Sequence, residues 1–304
     1  MKQIAENIVI ETEYTGVTLG AIIQPDRVIY IDAPLLPEHA RLWRIAVTAR
    51  KKIPQQVILL DAHHDRTIGS RFLECTIIVQ ERTHWIYQNR PVTFKPISQN
   101  SGSVWETIRI QNGFRWIYPE IVFSQCLDLH QSDLHVDLQY HPGPSDGSSW
   151  VEIPARKVIF VGDTVISGQV PFLHSAEIGP WLTALDELEK RYDEGCQIVG
   201  GRSGLIGKGE IEAMRSFLLK AQDCLEDYAA CNDTDERIDS LIAQLEIDKF
   251  FCIRKEDKGQ MVERLSYGLH HYFRRNYMKI DEFVRSAAEM EDEDPENAAE
   301  PAES

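Results

Sequence analysis

Val57-Ile58-Leu59-Leu60-Asp61-Ala62-His63-His64-Asp65-Arg66 carries four branched aliphatics straight into six positions of which five are ionisable. A run that short and that apolar reads as a strand buried on both faces, as inside α/β proteins. Polar residues at the carboxyl end of such a strand fall where α/β proteins assemble their sites. Two more junctions have the same form: Val158-Ile159-Phe160-Val161 ends in Gly162-Asp163, and residues 196–199 run into Gly200-Gly201-Arg202-Ser203-Gly204. A polar loop, Pro142-Gly143-Pro144-Ser145-Asp146-Gly147-Ser148-Ser149, precedes the first of these two.

Outward from these junctions, strands and helices alternate. Residues 8–10, 17–23 and 28–31 are β-rich, with Gln24-Pro25-Asp26-Arg27 as a turn. Residues 37–51 read as a helix with Leu42, Ile45, Ala46 and Ala49 on one face. The middle, 76–161, is β-dominated and irregular. Helices are expected over 176–192, with Ile178, Trp181, Leu182, Leu185 and Leu188 inward, and over 209–230, with Ile211, Met214, Leu218 and Leu225 inward. After Asn232-Asp233-Thr234-Asp235 the pattern is wholly helical. Ile238, Leu241, Ile242 and Leu245 form one stripe, and Met261, Leu265, Leu269, Tyr272 and Phe273 form another. The expected organisation is a main domain over 1–231, a helical extension over 232–288 and an acidic, disordered tail over 289–304.

The chain has 304 residues and a net charge of −16, with 43% hydrophobic residues, ample for a sizeable core. Eight acids and no base lie from Glu289 onward, so half the excess charge sits in the tail. That balance works against nucleic-acid binding, which needs basic surface. His270-His271-Tyr272-Phe273-Arg274-Arg275 therefore reads as an amphipathic helix, Tyr272 and Phe273 inward and the two arginines in water. No apolar run approaches the ~18 residues of a membrane span, and the first residues lack a secretory signal's apolar stretch. Six scattered cysteines without a C-x-x-C pair point to reduced thiols and a cytoplasmic setting. Trp116, Trp150 and Trp181 read as core or pocket wall. Ser145, Ser148 and Ser149 lack a G-x-S-x-G elbow, and no phosphate-loop or dinucleotide motif is present.

The order and spacing of the polar junctions resemble the metallo-β-lactamase superfamily, over roughly residues 8–230. Its H-x-H-x-D-H motif and nearby glycine correspond to Asp61-Ala62-His63-His64-Asp65-Arg66 and Gly69. Its P-G-H-T-D-G-S-S loop corresponds to residues 142–149, its strand ending in G-D to Phe160-Val161-Gly162-Asp163, and its G-H-G to Gly201-Arg202-Ser203. Asp32 matches an early strand ending in Asp. Gly69, Gly143, Gly147, Gly162 and Gly201 keep the frame of the tight turns. The resemblance implies an αββα sandwich: two mixed sheets face to face, helices on both outer faces, and polar loops gathered at one edge. The C-terminal helices could then cap the pocket mouth or form a homodimer interface.

Family members hold two metal ions, usually zinc, with five histidines and two aspartates. Here His63 alone survives of the five histidines; Asp61, Arg66, Pro144 and Arg202 stand at the others, while Asp65 and Asp163 keep the carboxylates. The resemblance would place one metal on Asp65, Arg66, Asp163 and Arg202. A guanidinium offers no lone pair, so that position is lost. The other position would draw on Asp61, His63, Pro144 and Asp163. Proline has no donor atom, which leaves Asp61, His63 and Asp163 for a single zinc, manganese or iron ion. His64 or His141 are further candidates, although alternation points His64 away.

Carboxylates left buried without ions are costly. Arg66 and Arg202 are therefore expected to replace the ions as fixed positive charges, paired with Asp65, Asp163 or Asp61. The expectation is a pocket with no cofactor and a non-catalytic binding or assembly role, with a protein partner or a second copy. Two alternatives stay open. One is a hydrolase using a single ion on Asp61, His63 and Asp163; the other is metal-free binding of an anion or small molecule through Arg66 and Arg202. No catalytic residue is assigned.

Overall fold

The computed structural model describes residues 1–49, 53, 55–110, 114–131, 134–231 and 234–278. The expected acidic tail and residues 279–288 of the expected extension lie outside them. The first sheet starts as an antiparallel meander of β1 (Lys2–Ala5), β2 (Ile8–Glu11), β3 (Leu19–Ile23) and β4 (Val28–Ile31). Helix α1 (Pro37–Thr48) then crosses to β5 (Gln55–Ile58), parallel to β4. One helical turn, α2 (His64–Thr67), and a 3₁₀ turn lead into β6 (Thr76–Gln80). Helix α3 (Glu81–Asn89), the ribbon β7 (Thr93–Phe94) with β8 (Phe114–Arg115), and the single turn α4 (Val104–Thr107) precede β9 (Ile121–Phe123). The sheet order is β1-β2-β3-β4-β5-β6-β9.

The second sheet comprises β10 (Cys126–Gln131), β11 (Leu134–Tyr140), β12 (Ser149–Ile153), β13 (Val158–Phe160), β14 (Gln197–Gly200) and β15 (Gly204–Ile206), in that order. Helix α5 (Ile178–Asp193) links the parallel pair β13 and β14. Helices α6 (Lys208–Cys231), α7 (Ser240–Leu245) and α8 (Lys258–Tyr277) complete the described chain.

Alternation along the strands builds the layers. Ile29, Ile31, Ile58 and Leu60 meet Val136, Leu138, Val151 and Phe160 between the sheets. Their neighbours Val28, Tyr30, Val57 and Leu59 face outward onto Trp43 of α1 and Tyr87 of α3. The outer face of the second sheet, with Trp150, Ile159 and Ile198, is covered by α5, α6, α7 and α8 in one continuous core. Each aliphatic side chain so buried contributes ~1.5–3 kcal/mol. This is an αββα sandwich with C-terminal helices, as the motifs implied.

Three expectations need correction. Leu42 and Ile45, placed on the core face of α1, are 58% and 44% exposed. The buried face is Ala40, Trp43 and Val47, because the bulk of Trp43 sets the rotation, and Ala49 ends the helix in the left-handed region at φ 48°. The stretch read as β-dominated contains α3, which buries only Thr83 and Tyr87 and so shows no apolar stripe; the Gln80 side chain caps it by accepting from Arg82 N–H. The stripes of α7 and α8 pack inside the chain's own core. Tyr272 and Phe273 do point inward, but Arg274 is paired with Asp235 and Arg275 donates to His174 O and Ala176 O, rather than both standing in water.

Candidate functional site

The polar junctions converge at one edge of the sandwich. Asp61 follows the apolar run through Leu60, and its Oδ1 accepts His63 N–H at 2.8 Å, folding the next residues into the turn of α2. Thr67 Oγ1 reinforces that turn by donating to His63 O at 2.8 Å. This brings Arg66 inward with a side chain of 0% exposure. Asp163 sits in the 3₁₀ turn 162–164 after β13, and Arg202 in the turn between β14 and β15.

Arg66 pairs with Asp163, and its Nη1 lies 3.3 Å from both Asp61 Oδ2 and Asp32 Oδ2. Arg202 Nε donates to the two Asp163 oxygens at 3.0 and 3.1 Å, and its Nη1 reaches Asp65 Oδ2 at 2.7 Å and Gly16 O at 3.0 Å. Asp65 Oδ1 accepts Trp105 N–H at 3.0 Å, tying α2 to α4. Gly201 is required by this packing: a Cβ there would lie 2.8 Å from Arg66 Nη1 and 2.9 Å from the Gly162 carbonyl carbon. Gly143 is equally confined, at φ 148° against the Trp181 backbone, and holds the loop that carries buried Pro144 onto α5.

The charges decide the electrostatics. Burial alone would raise the pKa of Asp61, but Arg66 and then His63 override it and hold it far below the usual carboxylate value. Asp163 is likewise lowered, with burial opposed by Arg202 and Arg66. Asp32 goes the other way, pushed up to about 7 by complete burial, which Arg66 only partly offsets. Its backbone is left-handed at φ 59°, and Oδ1 accepts Leu60 N–H at 2.9 Å. Arg66 and Arg202 are held more firmly protonated than usual, the neighbouring carboxylates outweighing burial.

A cavity of about 170 Å³ opens beside this centre, lined by His63, Asp65, Arg90, Ser145, His174 and Tyr267 among others. Arg90 donates to Ala62 O and stacks on Tyr87 and Trp116, and its Nη1 has no hydrogen-bond partner. Burial depresses the His174 imidazole to about 3. Behind the centre, Arg264 of α8 donates to Gly102 O, Val170 O and Gln169 Oε1 and stacks on Phe172, the ring that Arg202 also faces. Burial, with Arg202 nearby, lowers Arg264 to about 9.

Of the residues singled out from sequence, Asp61, His63, Asp65, Arg66, Asp163 and Arg202 meet in one cluster. His64 turns away into a box of Phe94, Trp105 and Trp116. His141 stacks on Trp150 at 3.6 Å, engaged in packing. Ser145 and Ser148 bond each other at 2.9 Å, and Ser149 donates to Leu60 O. The salt-bridge role of Asp32, and Arg90, His174 and Arg264, escaped the sequence. Arg264 left one faint signal, its place on the apolar stripe three residues after Met261.

The donor chemistry decides which ions fit. For two ions it does not fit, since two guanidiniums occupy Asp65 and Asp163 and cannot ligate. For a single ion, Asp61, His63 and Asp163 each bring one donor atom within 4.8 Å of the others. His63 Nδ1 lies 3.0 Å from Asp61 Oδ1 and 3.8 Å from Asp163 Oδ2 without a well-formed hydrogen bond, yet Arg66 stands against both carboxylates.

A sandwich of this topology, with loops clustered at one edge, is a metallo-β-lactamase fold. Residues 62–197 match the family model described as the metallo-beta-lactamase superfamily. Among solved structures, a metallo-β-lactamase from Pontibacter korlensis is similar at a TM-score of 0.54 and 14% identity, covering 72% of this chain and 97% of that one. The DIM-1 metallo-β-lactamase exposed to ceftazidime is similar at 0.57 and 14%, covering 72% and 96%. A metallo-β-lactamase from Erythrobacter litoralis is similar at 0.53 and 13%, covering 72% and 95%. None of the curated proteins compared matches the chain.

Proposed function

We propose that this chain is a non-catalytic member of its superfamily, in which an Asp/Arg ion-pair network stands in place of the metal centre and the pocket serves binding or assembly. One observation carries the reading: Arg202 engages Asp65 and both oxygens of Asp163, the carboxylates that a second metal would need. A divalent ion entering there would meet two fixed guanidinium charges. The ligand is a small molecule or anion entering the cavity of about 170 Å³. Arg66 and Arg202 are paired with carboxylates and do not line this cavity, whereas Arg90 does and keeps Nη1 without a hydrogen-bond partner, which favours Arg90 as the group that meets it. Partners are a protein or a second copy, in a cytoplasmic setting.

Elemental analysis of protein purified without chelator or added metal tests this. Well under one equivalent of zinc, manganese or iron at the centre is expected. Two ions per chain would overturn the reading, as would chelator-sensitive hydrolysis of a lactam, thioester, lactone or phosphodiester. The convergence of His63 Nδ1 on Asp61 Oδ1 at 3.0 Å and Asp163 Oδ2 at 3.8 Å favours a second reading, a hydrolase with one ion on Asp61, His63 and Asp163. One equivalent of metal lost in His63→Gln would select it.

A further inference from the structure

The outward face of the hairpin β10–β11 carries a cluster that the buried centre does not use. The register sets Asp128 opposite Asp137 and His130 opposite His135. Within each strand the two positions are two residues apart, so all four side chains stand on one face. Leu134, Val136 and Leu138 enter the inter-sheet core from the other face. Two carboxylates directly opposite each other destabilise an antiparallel pair. Among the described residues, no lysine or arginine pairs with either. In the next strand, Glu152 sits beside Asp137 and is matched by Arg191 of α5 at 3.3 Å. The inner end of this acidic row is thus neutralised by arginine, and the outer end faces only imidazoles.

The arrangement does bring metal ligands together. One donor atom from each of Asp128, His135 and Asp137 lies within 4.8 Å of the others. His135 Nε2 is 2.7 Å from Asp137 Oδ1 and 3.6 Å from Asp128 Oδ1. Neither His135 Nε2 nor Asp137 Oδ1 has a well-formed hydrogen bond. Tetrahedral bonds of ~2.1 Å separate neighbouring donors by about 3.4 Å, so one distance already suits an ion and the other must open by less than 1 Å. The His130 ring stacks on His135 with centroids 4.7 Å apart, near enough to turn in as a fourth ligand.

We propose that this face binds one borderline divalent transition-metal ion, such as zinc, cobalt or nickel, on Asp128, His135 and Asp137 with His130 completing the set. Imidazole with carboxylate selects these ions; calcium and magnesium favour all-oxygen sites. β10 is the edge strand of its sheet, so the ion would clamp the outermost ribbon and cancel the opposed carboxylates.

The test uses the full chain stripped with chelator, titrated with zinc by calorimetry and with cobalt by visible absorption. Expected is one ion per chain, held at least tenfold more weakly in both His135→Gln and Asp137→Asn and unchanged in His63→Gln at the buried centre. Zinc should also raise the thermal midpoint of the parent and not of folded His135→Gln. The site is independent of the reading given to the buried centre, because the two sets of variants separate the two ions. No uptake, or uptake removed by His63→Gln and untouched by His135→Gln, would overturn it.

Discussion

Replacing Arg202 by alanine removes a buried cation from between two carboxylates. Three of its hydrogen bonds go to ionised oxygens, at 2.7, 3.0 and 3.1 Å, and a fourth goes to Gly16 O. Asp163 keeps Arg66, but Asp65 retains only the Trp105 N–H. Removing one partner of a buried pair costs ~3–5 kcal/mol, chiefly because the other charge is left uncompensated. Stability of a whole domain is ~5–15 kcal/mol, so the loss is a large fraction of it. At ~2–4 °C per kcal/mol for a domain of 150–250 residues, the thermal midpoint should fall by roughly 6–20 °C. The assay is thermal unfolding at neutral pH, beside Arg202→Lys, which supplies a point charge without the fork and should fall between. Arg202→Met combined with Asp65→Asn and Asp163→Asn removes the charges together and should recover much of the loss. A midpoint for Arg202→Ala within 2 °C of the parent would refute the network as a stabilising centre.

Asp32→Asn tests the acid whose pKa is raised to about 7. Its folded value lies above the unfolded ~3.9, so the folded state holds an extra proton between the two and stability falls as pH rises through that window. The Asn variant, which tolerates the left-handed backbone, should show a smaller decline from pH 4.5 to 7.5 in thermal unfolding. Asp61 and Asp163 are depressed, so their contribution is complete above ~4 and is lost as pH falls below it. Gly201→Ala should cost ~1–3 kcal/mol by overpacking against Arg66 and Gly162, read by denaturant unfolding. The combined variant Asp61→His, Arg66→His, Pro144→His and Arg202→His is expected to take up two zinc ions more than the parent by calorimetry, and adding Asp32→Asn should stabilise it, since Asp32 loses Arg66. Uptake no greater than the parent's would show that the loops, and not the ligands alone, have changed.

Strands around 57–60, 158–161 and 196–199 were legible as short apolar runs, and helices α5 and α6 because each carries a strong apolar period. α3 was not, since a helix burying two side chains leaves no period to read. At the centre, retained carboxylates beside new arginines were enough to anticipate which charges would pair. Asp32 joining Arg66 across 34 residues was not, because that contact depends on two strand ends meeting in space. Arg90 and His174 reach the cavity from segments whose local sequence carries no signal of it.

The contact between Arg264 and Gly102 O spans 162 residues of chain. A polypeptide is made from its N-terminus at ~5–20 residues per second, so roughly 8–32 s separate the synthesis of these two partners. Through that interval the segment around Gly102, with Ser101 and Ser103 on the cavity wall, lacks the guanidinium that anchors it. Maturation of the pocket is therefore a late event in biosynthesis, set by the arrival of α8. A chain terminated before that helix would display an unfinished cavity to the chaperones that receive it.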